Sequence, residues 1–162
     1  MLRRWLNTHK HRRQARAAAE LDAWLASLTY VLETCSEALR SLEPDADIGV
    51  TLDRVDRELM RFRDHAADIR PRLRLASPSL AETVRRATDD TYHLRNHTHA
   101  YLLRWKARQQ QTSTGGPYGI HSLREMEEAH LRASDAARRL RSELAVFSPE
   151  IQELVDAWAG KE

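Results

Sequence analysis

Apolar residues that recur alternately three and four positions apart confine a chain to helices packed seam against seam. This sequence repeats that pattern four times. The first run is Leu21, Leu25, Leu28, Leu32, Cys35, Leu39 and Leu42, broadened by Trp24, Val31 and Ala38. Glu43, Pro44 and Asp45 should end it, because proline disfavours helical backbone in the residue before it. A short loop through Gly49 follows. The second run is Leu52, Val55, Leu59, Phe62, Ala66, Ile69, Leu73 and Ala76. Pro71 lies inside it and predicts a kink, or an end near Arg70.

Ser79 and Glu82 have capping-box spacing and predict the start of a third helix. Its seam is Leu80, Val84, Ala87, Thr91, Leu94, Thr98, Tyr101 and Trp105, intact in period but polar at two central positions. The Gly-rich stretch from Thr112 to Gly119 reads as a loop. Ser122 and Glu125 then predict the cap of a fourth helix, with Leu123, Met126, His130, Ala133, Ala137, Leu140, Leu144 and Phe147 along its seam. Ser148 and Pro149 predict a fifth, short helix whose Ile151, Leu154, Val155 and Trp158 cap the bundle, with Gly160 at its end.

Four helices of roughly 25 to 30 residues, about 40 to 45 Å long, lead us to expect an all-α fold. We expect an antiparallel up-down-up-down four-helix bundle with a short C-terminal capping helix. The alternative is a long helical hairpin that completes its core as a dimer. At 162 residues with only 5 Gly and 5 Pro, the chain suits one domain and fits a turn-dense sandwich or barrel poorly. The division expected is a basic arm, 1–12, followed by one bundle domain, 13–162. Ion pairs at helical spacing are expected between Asp53 and Arg57, Glu82 and Arg86, Glu128 and Arg132, and Asp135 and Arg139.

Charge is unevenly placed. Residues 1–16 hold Arg3, Arg4, Lys10, Arg12, Arg13 and Arg16 with no acid, so a net charge of +2 for the chain leaves the remainder acidic. This arm is the leading candidate for an anionic partner, with Arg104, Lys106 and Arg108 as a second patch. Nucleic-acid phosphates and an anionic membrane surface are both partners that such an arm suits. The longest uncharged stretch, Ala23 to Leu32, is about half of what a membrane-spanning helix needs. Trp5 and Leu6 are followed by polar residues rather than a leader's apolar run, so a cytoplasmic location is expected.

Cys35 is the single cysteine, which excludes an intramolecular disulfide and a multi-Cys metal site within one chain. Asp90, His93 and His97 share one side of the third helix and are a candidate metal-binding stripe, although no Glu-x-x-His repeat of the di-iron type accompanies them. His130 stands on a seam where Leu or Ala is usual. In an antiparallel bundle it comes level with Thr98 and Tyr101, predicting a buried polar layer in which a threonine hydroxyl or the Tyr101 phenol satisfies the imidazole.

No P-loop, nucleophile elbow, His-Glu-x-x-His or dinucleotide fingerprint occurs, so no cofactor is expected and no catalytic residue is indicated. Arg124 and His130 resemble the permissive Arg-x4-6-His pattern of the HEPN all-helical ribonucleases. That resemblance would imply Arg124 stabilising a phosphate and His130 assisting 2′-hydroxyl attack across a dimer interface. Glu125 departs from the pattern, since its charge repels RNA phosphate. The function expected is that of a non-enzymatic intracellular interaction or adaptor protein, with a protein partner or a second copy, engaging anions through its arm. An RNA-binding protein or ribonuclease using Arg124 and His130, and a metal-binding bundle using Asp90, His93 and His97, are the alternatives.

Overall fold

A computed structural model describes the backbone of residues 2–40, 42, 47–114 and 119–160, with side chains of these except 2–7, 111–114 and 119–122. Among the described residues the chain forms four helices and no strand: α1 (Leu2–Arg40), α2 (Ile48–Ala76), α3 (Pro78–Thr114) and α4 (Gly119–Ala159). Each of α1 and α3 packs against both α2 and α4, and α1 meets α3 across the centre. Partners run in opposite directions along neighbouring helices. Glu20 meets Arg72 and Glu37 meets Arg54 between α1 and α2. Asp56 meets Arg95 and Arg63 meets Tyr92 between α2 and α3. Leu39 meets His130 and Trp24 meets Phe147 between α1 and α4. One chain thus supplies all four seams, which displaces the alternative of a hairpin completed by a second copy.

The four runs are the core. Trp24 is fully buried, stacked on Phe62 at 5.3 Å between centroids and tilted against Phe147 at 6.2 Å. Leu21, Leu28, Ile69, Leu73, Leu80, Leu140 and Ile151 complete this larger cluster. A smaller cluster at the opposite end joins Ala38, Leu39, Ile48, Tyr101, Leu102, Ala129 and Ala133. Burying each large side chain contributes about 1.5–3 kcal/mol, so the aromatic end dominates the stability of the bundle.

The helix boundaries depart from expectation in several places. α2 runs past Pro71 to Ala76, and α4 runs past Pro149 to Ala159, so Pro71 does not end its helix and no separate fifth helix forms. A helical proline leaves the carbonyl four residues back without its donor. Here those carbonyls belong to Ala67 and Ala145, both exposed together with the prolines themselves, so they are open to solvent. α2 begins earlier than expected, at Ile48, where Asp47 Oδ1 accepts from the Val50 N–H at 3.2 Å.

The α2–α3 connection is a single residue. Ser77 donates its N–H to the Leu73 carbonyl at 2.7 Å, closing α2. Its Oγ accepts from the Leu80 N–H at 3.3 Å, opening α3. Ser77 is therefore the N-cap in place of Ser79, and Pro78 takes the first helical position, where its missing N–H costs nothing. Glu82, freed from capping, accepts two hydrogen bonds from Arg85 rather than pairing with Arg86. Ser122 is likewise interior to α4, which already starts at Gly119. Gly160 ends α4 at a φ of 70°, the left-handed value that glycine adopts without strain.

Candidate functional site

The basic arm is a helix continuous with α1 rather than a frayed extension. Continuing the seam backward from Leu21 at the same spacing places Ala18, Gln14 and His11 on it, so among the described residues apolar packing stops at Ala17 and Ala18. Thr8 to Arg13 are exposed. Arg16 is committed within the fold: its Nε donates to Glu20 Oε1 at 2.9 Å, and Arg72 Nη1 donates to Glu20 Oε2 at 2.6 Å. Beside Arg16, which is exposed but paired, Lys10, Arg12 and Arg13 carry the exposed charge of the described arm, while the side chains of Arg3 and Arg4 lie outside the described residues.

The second patch is divided. Arg104 donates to the Ala100 carbonyl at 3.2 Å, Arg108 is half-buried, and Lys106 lies about 200° round the helix from Arg104. Arg95, nine positions before Arg104 on α3, forms a fork-to-fork pair with Asp56 at 2.8 and 2.9 Å, which holds the Asp56 carboxyl below its ordinary range. That pair, 39 positions apart, carries no short-range signal in the sequence.

The polar layer brings Tyr101 and His130 together and leaves Thr98 to one side. The Tyr101 and His130 rings meet edge-on at 5.0 Å and 69°. His130 Nε2 lies 3.0 Å from the Leu39 carbonyl oxygen. A carbonyl only accepts, so Nε2 carries the hydrogen. The partner is neither a threonine hydroxyl nor the Tyr101 phenol as expected. Leu39 is the penultimate residue of α1, where carbonyls have no intrahelical donor, and His130 of α4 supplies one. Thr98 is buried beside Cys35 and makes no hydrogen bond of good geometry among the described residues. Burial pushes the Cys35 thiol up to about 11, which makes it inert at neutral pH.

Arg124 and His130 are not assembled as a pair. Arg124 is exposed and donates to Glu128 at 3.1 Å, while His130 is bound to Leu39 and covered by Tyr101.

Asp90, His93 and His97 do share a site, an open cleft of about 340 Å³ between α3 and α4. The facing wall is Arg132, Asp135 and Arg139, with Ala136 and Leu140 as its apolar floor. No three His, Cys, Asp or Glu side chains among the described residues come close enough to hold a metal ion, which corrects the metal reading of the stripe. Glu143, one turn beyond Arg139, hydrogen-bonds Asp90, and burial plus this carboxylate neighbour push its carboxyl up. His97 is pulled down by burial and then by His93, Arg132 and Arg139. Asp135 binds Arg138 rather than Arg139, leaving Arg139 with no hydrogen bond or ion pair among the described residues. The sequence places Arg132 and Arg139 in ion pairs with Glu128 and Asp135 rather than in a site, and does not point to Glu143; Arg132 and Arg139 are one heptad apart, a spacing that repeats a helical face. A second cleft of about 330 Å³ at the α2–α3 turn has Arg70, Arg74 and Arg85 on its walls, but Arg85 is held there by Glu82 and Asp89.

No helix among the described residues is long and apolar enough to cross a membrane. Comparison with known protein families, curated proteins and solved structures finds no match to this chain.

Proposed function

We propose that this is a non-enzymatic interaction protein that presents the basic N-terminal extension of α1, from a rigid four-helix platform, to a nucleic-acid backbone. The observation that carries this reading is the continuation of α1 beyond Ala17 and Ala18, the last buried positions toward its N-terminus among the described residues, with Lys10, Arg12 and Arg13 exposed along it. The extension carries no acid, so it attracts polyanions without internal neutralisation. Its cations are spread round the helix rather than segregated on one face, since Lys10 and Arg12 fall about 200° apart. A helix lying on a membrane needs one apolar and one charged face. A strand of phosphates that tracks along and round the helix does not.

The test is fluorescence anisotropy of labelled single-stranded RNA titrated with the full chain across a salt series. Binding should weaken steeply with salt, and Lys10→Gln, Arg12→Gln and Arg13→Gln combined should reduce the log–log salt slope by about 2, at roughly 0.7 per phosphate contact. The RNA recovered on a denaturing gel should be intact. Equal binding by the triple variant would remove the arm from the interface. Fragments that disappear with His130→Ala would replace this reading with a ribonuclease.

A further inference from the structure

The α3–α4 cleft holds chemistry that the arm does not use. Its α3 wall carries His93 and His97 one turn apart, and its α4 wall carries Arg132 and Arg139 two turns apart. The acids around it are already occupied. Asp135 accepts from Arg138, and the Asp90 and Glu143 carboxyl groups lie against one another. The bases are not. Arg139 has no ion pair or hydrogen bond among the described residues, and Arg132 has only a 3.9 Å contact with Glu128. Two arginines and two histidines thus line one open space of about 340 Å³ whose acidic residues have partners of their own.

That set of groups selects its ligand. A cation meets two arginines and is repelled. A neutral apolar molecule leaves the guanidinium donors unpaired. A tetrahedral oxyanion offers oxygen atoms to several N–H donors at once, and arginine binds such groups through two parallel hydrogen bonds. We propose that the α3–α4 cleft is a phosphate-binding site in which Arg132 and Arg139 hold the anion and His97 adds a donor from the facing helix. The ligand class is inorganic phosphate or a small phosphomonoester. His97 independently reports the field in the cleft, because the positive neighbours His93, Arg132 and Arg139 add to burial in keeping it neutral. An anion placed among these groups reverses that pressure, so binding draws a proton onto His97 and grows tighter as pH falls. The other charges facing the cleft are Asp90 and Arg86 on α3 and Asp135 and Glu143 on α4, and protonation of Glu143, whose carboxyl is pushed up, works in the same direction.

Calorimetric titration of the full-length protein tests this site separately from the arm. Inorganic phosphate and phenyl phosphate distinguish free phosphate from an ester: the tighter ligand identifies the source. Sulfate serves as the probe of pH dependence, because it stays dianionic where phosphate itself titrates. One saturable site is expected, tighter for sulfate at pH 6 than at pH 8 by about tenfold, the equivalent of one pKa unit of linkage. Arg139→Gln, at an exposed position that leaves the fold intact, should weaken binding by about tenfold or more. His97→Gln should flatten the pH dependence while retaining part of the affinity. The triple arm variant Lys10→Gln, Arg12→Gln, Arg13→Gln should bind phosphate as the unaltered protein does, even if RNA binding is lost. Absence of saturable binding at both pH values overturns the proposal. So does an Arg139→Gln variant of unchanged affinity, or loss of phosphate binding in the arm variant.

Discussion

The two ends of the core are built from the same heptad spacing and differ in what fills it. Around Trp24, Phe62 and Phe147 the interior is aromatic and aliphatic, and the buried Trp24 Nε1 has no hydrogen-bond partner among the described residues. Around Tyr101 and His130 three alanines stand beside Leu39, Ile48 and Leu102, and an imidazole on the seam is bound to a backbone carbonyl of another helix. The first end supplies area removed from water, which is large but indifferent to small slips along the helix axis. The second supplies a directional contact that is satisfied at only one axial setting of α4 against α1. Adhesion and register are thus assigned to opposite ends of one bundle.

The largest effect should come from emptying the adhesive end. Trp24→Ala should cost about 3–5 kcal/mol, read from urea or thermal unfolding, because two aromatic neighbours are left facing a cavity. A loss below about 1 kcal/mol would show that this end collapses freely and does not dominate. A smaller effect is expected at the other end. His130→Ala should cost about 1–2 kcal/mol by leaving the Leu39 carbonyl without its donor. His130→Gln, whose amide N–H₂ can reach the same oxygen, should recover part of that loss. If Gln does no better than Ala, ring packing against Tyr101 outweighs the hydrogen bond.

The smallest effect carries a sign. Glu143 has a raised carboxyl pKa, so its contribution to stability is present below the ordinary carboxylate range and is lost as pH rises through the raised value. Glu143→Gln keeps a donor for Asp90 and never ionises. It should therefore raise the melting temperature by about 1–2 °C at pH 7 and leave it unchanged near pH 4. An equal shift at both pH values would remove the carboxyl pair as the cause.

Elements whose physics is local were legible in the sequence. The run from Leu21 to Leu42 names its own buried face, and Thr98, Tyr101 and His130 stand out because each interrupts an apolar period, although only Tyr101 and His130 come together. Two kinds of feature were not legible. Pro71 and Pro149 looked like breaks because their effect depends on which way the freed carbonyl points, and that is settled by tertiary packing. Neighbouring arginines compete for one carboxylate, so the choice of Arg85 over Arg86 and of Arg138 over Arg139 follows from side-chain geometry. That second choice leaves Arg139 available to the α3–α4 cleft. The cleft itself, like the Asp56–Arg95 pair, joins residues from different helices and has no sequence period to reveal it.

The one-residue link at Ser77 has a consequence for how the chain finds its shape. With a single residue between them, α2 and α3 meet at almost no loop-closure entropy, whereas α1 and α4 must be brought together across most of the chain. We therefore expect the α2–α3 hairpin to assemble first and the outer helices to dock onto it afterwards. Lengthening this one joint by several flexible residues should slow folding more than it lowers stability, and stopped-flow refolding would show the difference.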